Sequence, residues 1–252
     1  MLSGGRRFVT PGQVSSVLDI EADGAAKKLA RWAAQGWLRR VRRGLYIGVP
    51  VDAPHPASWS EDPLVVAAEV WPCYFTGWTA ANEWALSDQV FRTTVLKTSA
   101  RVRAATVRLL DHEYLIRSVN HRDMEWGMKS QWRSEARLRF ADPARTVIDI
   151  LDSPRLGGGM RHSAEILAAY LDEYDPDTLI DYGDRVGNRA LFKRLGYSVE
   201  AMDRDLPTVL RACRERVSAG ISALDPDGPS GGRTISRWRL RVNATISTEE
   251  PA

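Results

Sequence analysis

Nine basic side chains stand within the first fifty residues: Arg6, Arg7, Lys27, Lys28, Arg31, Arg39, Arg40, Arg42 and Arg43. Only three acids, Asp19, Glu21 and Asp23, accompany them. This segment carries a net +6 in a chain whose total is +3, so the remaining 202 residues sum to −3. Cations at this density suit a polyanion. Each can neutralise a phosphate, and an arginine can also meet a phosphate or a guanine edge with two parallel N–H donors. Four arginines in five positions, 39, 40, 42 and 43, exceed what solubility requires.

The rest of the chain offers little catalytic chemistry. His112-Glu113 is followed by Tyr114, Leu115 and Ile116, which breaks the two-histidine pattern of a zinc peptidase. His55, His112, His121 and His162 lack metal-ligand spacing with Cys73 or Cys213. Gly157-Gly158-Gly159 has no following Gly-Lys-Ser/Thr and reads as a helix break, not a phosphate loop. Ser163, next to His162, lacks the context of a nucleophile elbow. Asp172, Glu173, Asp175, Asp177, Asp181 and Asp184 spread over two helices and a cap, as on a solvated face. The expectation is therefore no enzyme, no metal and no cofactor. The alternative is a DNA-processing enzyme in which Asp149 and Lys193 converge in a nuclease-like body. Cys73 and Cys213 read as buried, reduced thiols. No apolar run reaches the roughly 20 residues that span a bilayer, and no apolar stretch follows Arg6 and Arg7 as a signal peptide needs. A soluble, cytoplasmic protein is expected.

Positioning the cations requires definite elements. Thr10-Pro11-Gly12-Gln13 carries the signature of a capping box with proline at the first helical position, so a helix is predicted from Thr10 to about Leu18. A second helix follows the Asp19–Gly24 turn and ends near Gln35, with Gly36 terminating it. At 100° per residue Lys27, Lys28 and Arg31 share one arc, opposite Ala22, Ala25, Ala26, Leu29, Trp32 and Ala33. Trp37–Val41 and Leu45–Ile47 then read as strands joined by a basic turn, Arg42-Arg43-Gly44. Helix, turn, helix and basic hairpin is the order of a winged helix-turn-helix, whose second helix enters the major groove while the wing lies over phosphates. Lys27, Lys28 and Arg31 are the groove candidates, and Arg39, Arg40, Arg42 and Arg43 the wing candidates. Thr10 and Gln13 are candidates for phosphate contact at the helix start, and Arg6 and Arg7 for a minor-groove arm.

A Pro-rich linker at 49–56 separates this head, 1–52, from a body, 53–252. A helix capped by Asp62-Pro63 and another over Thr76–Leu86 precede a region, 91–140, that reads as an antiparallel sheet. Further helices are predicted from Asp142-Pro143, over Ser163–Leu171, Asp175–Val186, Arg189–Leu195 and Leu206–Ala219. Asp225–Gly232 reads as a flexible loop and Ile235–Val242 as a last strand. The fold class is α+β: a winged helix-turn-helix followed by a mixed antiparallel-sheet and helical C-terminal domain.

Three stretches carry a resemblance to a family. They are Phe8-Val9-Thr10 with Leu29–Leu38 and Arg42–Tyr46; Tyr74–Ala81; and Asp142–Asp149 through Gly157–Gly159 to Lys193–Tyr197. In order and spacing they resemble AbiEi-type antitoxins. The resemblance implies a type IV toxin–antitoxin system acting in abortive phage infection. It further implies an antitoxin that represses its own promoter at inverted repeats, beside an AbiEii-like nucleotidyltransferase toxin that such antitoxins often counter without a stable complex. One departure concerns the head: only nine residues precede its first helix. Either a packing helix is borrowed from beyond residue 60, or the start lies upstream.

Overall fold

The computed structural model describes residues 7–53, 59–133 and 135–246. Arg6, one half of the expected arm, lies outside the described residues.

The chain opens with β1 (Phe8–Val9), α1 (Pro11–Leu18), α2 (Ala22–Ala34), β2 (Leu38–Arg42) and β3 (Leu45–Gly48). Thr10 is extended and caps α1, with Pro11 at its start. Asp19 closes α1 in the left-handed region. Gly36, at φ 81, turns the chain from α2 into β2. The three strands form one sheet in the order β1-β3-β2. Val14, Ala25, Leu29, Leu38 and Tyr46 fill the core between this sheet and the two helices. On α2 the predicted faces separate: Ala25 and Leu29 are buried and Arg31 is exposed, although Ala22 also lies exposed in the first turn.

α3 (Pro63–Val70), capped by Asp62, follows. Val66 of α3 packs with Val41, Leu45 and Ile47 on the other face of the head sheet, where Leu110 joins them. A helix beyond residue 60 thus covers this face of the three-stranded sheet.

A six-stranded sheet forms the middle of the body. Its strands are β4 (Cys73–Phe75), β5 (Thr93–Thr98), β6 (Thr106–Leu109), β7 (His112–Ser118), β8 (Met128–Arg133) and β9 (Ala136–Ala141), in the order β6-β7-β5-β4-β9-β8. α4 (Gly77–Glu83) connects β4 to the stretch before β5. The expected antiparallel sheet is corrected here to a mixed one, because β5 runs parallel to β7 and β4 parallel to β9. After β5 the chain passes beyond the place of β7, forms β6 and hairpins back into the vacant slot, which makes β7 parallel to β5. Val95, Leu96, Tyr114 and Phe140 are fully buried, and alternation is weak in strands covered on both faces.

The remaining layer is helical: α5 (Pro143–Asp152), α6 (Met160–Glu173), α7 (Asp177–Val186), α8 (Arg189–Ala201) and α9 (Pro207–Glu215). Val147, Ile148 and Leu151 of α5 centre a core shared with Leu167, Phe192 and Trp238. The chain ends in β10 (Ser222–Ala223), β11 (Arg233–Ile235) and β12 (Leu240–Val242). The expected strand over Ile235–Val242 is divided by a 3-10 turn at Ser236–Trp238, so β11 and β12 pair as a hairpin. The Asp225–Gly232 loop is tied down at its start: Asp225 Oδ2 accepts from the Met160 amide at 3.0 Å and caps α6. Cys213 is buried as expected, whereas Cys73 is half-buried; both are free thiols, and desolvation pushes both up to about 12. Among the described residues no helix is long and apolar enough to cross a membrane.

Candidate nucleic-acid interface

Strand alternation decides which arginines of the hairpin are available. Successive side chains of a strand point to opposite faces, and Arg39 pairs in register with Ile47, whose face packs on the body. Arg39 accordingly donates to the Trp59 carbonyl at 2.5 Å and to Asp111 Oδ2 at 2.8 Å. Its guanidinium holds the Asp111 carboxyl below the usual carboxylate range. Asp111 is presented by the tight β6–β7 turn, in which Leu110 (φ 46) and Asp111 (φ 68) are both left-handed. That conformation is strained for leucine, and it sets Leu110 against Val41 and Leu45. Arg39 is therefore part of the joint between head and body. Arg7, the second half of the expected arm, is also committed: it pairs with Glu61 at 2.6 Å, and that hydrogen bond raises its pKa.

Arg40 pairs with Tyr46, on the face that carries the helices. A register shift between Arg40 and Arg42 bulges the strand, and Gly44 at φ 76 closes the turn. Arg40, Arg42 and Arg43 are exposed. Among the described residues none of the three has an ion-pair or hydrogen-bond partner. The same holds for Lys28, half-buried, and Arg31, exposed, on α2. Lys27 differs: it is clasped by Asp23 one turn earlier at 2.7 Å, which raises its pKa. Its exposed pair is of the kind that is worth little and opens readily.

Thr10 and Gln13 form the capping box. The Gln13 amide donates to Thr10 Oγ1 at 3.4 Å, and the Thr10 amide donates to Gln13 Oε1 at 2.8 Å. Their polar atoms serve the helix start. Gln13 also lines a cleft of about 460 Å³ between head and body, with Arg7, Arg133 and Arg137.

The body holds a buried ionic cluster that sequence reasoning missed. Asp149, fully buried, accepts from Lys97 Nζ at 2.8 Å, Arg145 Nε at 2.9 Å, Thr76 Oγ1 at 2.8 Å and the Tyr74 hydroxyl at 3.1 Å. The Arg145 guanidinium lies 3.5 Å from the centroid of the Trp126 ring. Burial pushes the Asp149 carboxyl up, but Lys97 and Arg145 outweigh it and hold the group below its ordinary value. Arg145 sits at i−4 to Asp149 on the same helix and was legible as a pair. Lys97, on a strand 52 residues away, was not. The anticipated partner of Asp149, Lys193, is elsewhere: it donates to the Gly220 carbonyl and to Ser222 Oγ at 3.2 Å. The nuclease-like pair is not brought together.

The acidic helices disperse their charge. Asp172 pairs with Arg204 at 2.8 Å, and Asp184 with Arg216 at 2.7 Å. Among the described residues no group of three or more His, Cys, Asp or Glu side chains is placed to hold a metal ion.

No family model matches the chain, and no curated protein matches it. Among solved structures the chain is similar to the protein RV2827C of Mycobacterium tuberculosis, with a TM-score of 0.62 and 12% sequence identity. The match covers 94% of this chain and 86% of that one. At this identity the likeness is one of fold.

Proposed function

We propose that this chain is a sequence-specific DNA-binding protein, with residues 8–48 as a winged helix-turn-helix, α2 as its recognition helix and β2–β3 as its wing. The observation that carries the reading is a set of cations with no side-chain partner among the described residues, on two adjoining elements: Lys28 and Arg31 on α2, and Arg40, Arg42 and Arg43 on the hairpin. The element order and the β1-β3-β2 sheet support it, since a hairpin packed beside the second helix is what a wing requires. Lys27 joins the set once its exposed pair with Asp23 opens. Arg39, Thr10 and Gln13 act as supports and not as contacts.

The biological reading rests on the AbiEi-type resemblance. The protein is an antitoxin that represses its own promoter at inverted repeats in a type IV toxin–antitoxin operon of phage defence. It works in the cytoplasm, and its counterpart is an AbiEii-like nucleotidyltransferase toxin. Gel shifts with promoter and scrambled duplexes test the DNA half. Co-expression of the chain with a nucleotidyltransferase encoded beside it tests the antitoxin half. Equal affinity for both duplexes contradicts sequence-specific repression. Unrelieved growth arrest contradicts antitoxicity.

A further inference from the structure

Outside the head, the body assembles three groups that the sequence keeps far apart. Ser87 follows α4, Gly157 ends a 3-10 turn, and His162 lies in the first turns of α6. The His162 ring is buried, with Nδ1 2.7 Å from the Gly157 carbonyl and Nε2 2.7 Å from Ser87 Oγ. A carbonyl oxygen only accepts, so Nδ1 must carry the ring proton. In that tautomer of the neutral ring Nε2 is the acceptor, and the Ser87 hydroxyl donates to it. This is the arrangement in which a serine is primed for attack: a base on the hydroxyl proton, and a further acceptor fixing the tautomer of the base.

Two of the three glycines leave room for this packing. At Gly158, φ is +82, and a Cβ would stand 3.1 Å from Phe91 and 3.3 Å from His162 Nδ1. A Cβ on Gly157 would meet Ser163 Oγ at 2.3 Å. Phe91 packs against the imidazole, with centroids 5.3 Å apart, and stacks on Trp78 at 4.4 Å. Asn82 Nδ2 holds the serine loop by donating to the Ser87 and Gln89 carbonyls at 2.8 and 2.9 Å. Ser87 itself is half-buried. The Gln89 amide donates to Ser87 Oγ at 3.2 Å, which holds the hydroxyl oxygen in place while its own proton is directed to Nε2. A cavity of about 250 Å³ is lined by Trp78, Asn82, Phe91 and Thr93 together with the charged Glu83 and Arg133, and it shares Asn82 and Phe91 with the surroundings of the Ser87–His162 pair.

We propose that Ser87 and His162 form an acyl-transfer dyad that takes small carboxylic esters. Ser87 Oγ bonds to the ester carbonyl carbon while its proton passes to His162 Nε2. The bond from that carbon to the alcohol oxygen breaks, and the departing oxygen takes the proton from Nε2. Water then bonds to the acyl carbon while giving a proton to the same nitrogen; the bond from that carbon to Ser87 Oγ breaks, and Oγ takes the proton from Nε2, which releases the acid and restores the serine.

The test treats the full chain with p-nitrophenyl acetate and, separately, with a fluorophosphonate, followed by peptide mass mapping. The expected result is p-nitrophenol release and a single modified residue, Ser87. Ser87→Ala loses both, and His162→Gln slows the labelling at least tenfold, in line with the usual contribution of a general base. Thermal unfolding and duplex binding of each variant report whether the fold persists. Labelling no faster than in the guanidinium-unfolded chain overturns the proposal. So does modification at other residues, or an unchanged rate in a folded His162→Gln variant.

Discussion

Among the basic residues of the head, partners rather than charge decide role. Arg31→Ala and Lys28→Ala should each cost about 1–3 kcal/mol of operator affinity if the side chain reads a base, and should relax preference at one position. Titrating promoter and scrambled duplexes separates that outcome from a uniform loss. Arg42→Ala with Arg43→Ala should weaken all duplexes alike and flatten the salt dependence by about two phosphate contacts. Arg39→Ala should leave the salt slope unchanged and lower the melting temperature, because its guanidinium bonds to the Trp59 carbonyl and Asp111. In the body, Asp149→Asn leaves Lys97 and Arg145 buried without their anion, and the loss should be about 3–5 kcal/mol by denaturant titration. The sign with pH follows from the depressed pKa of Asp149. Its contribution is fully present above the unfolded value, about 3.9, and disappears as pH falls through the lower folded value. Acid unfolding of the native chain should therefore steepen below about pH 4, whereas Asp149→Asn should lack that component.

Elements with local signals were legible, and those set by distant pairing were not. The Thr10–Gln13 box, the Asp62-Pro63 and Asp142-Pro143 starts and the Gly36 stop all appear in the structure, because each is decided within four residues. The direction of β7 escaped, because it depends on β6 occupying the far side of the sheet. The role of Arg39 escaped too, since four arginines in five positions hide the two-residue alternation that aims one of them inward. His162 was visible only as a lone histidine, because its serine is 75 residues away. The hairpin has two packed faces, and the second belongs to the body: Ile47 meets Val66 and Leu110 there. Ile47→Ala should thus destabilise by about 2–5 kcal/mol. A fragment of residues 1–52 should give the amide spectrum of an unfolded chain, since its own core is small. A folded, DNA-binding fragment would contradict this account of the joint.

For the molecule as a whole, charge is divided as the fold is divided, with +6 in the first fifty residues and −3 in the remainder. Arg7–Glu61, Arg39–Asp111 and the Val66–Ile47 packing fix the head on that acidic body, so the body sets the angle at which α2 is presented. The central claim is that α2 and the hairpin lie against a duplex backbone. The measurement that bears on it most directly is the affinity of the full chain for promoter DNA across a series of potassium chloride concentrations. Five or six cations meeting phosphates should make log K fall linearly with log salt at a slope near −5, and alanine at Arg42 and Arg43 should reduce it to about −3. A flat line, or no retention of any duplex at low salt, would contradict the account.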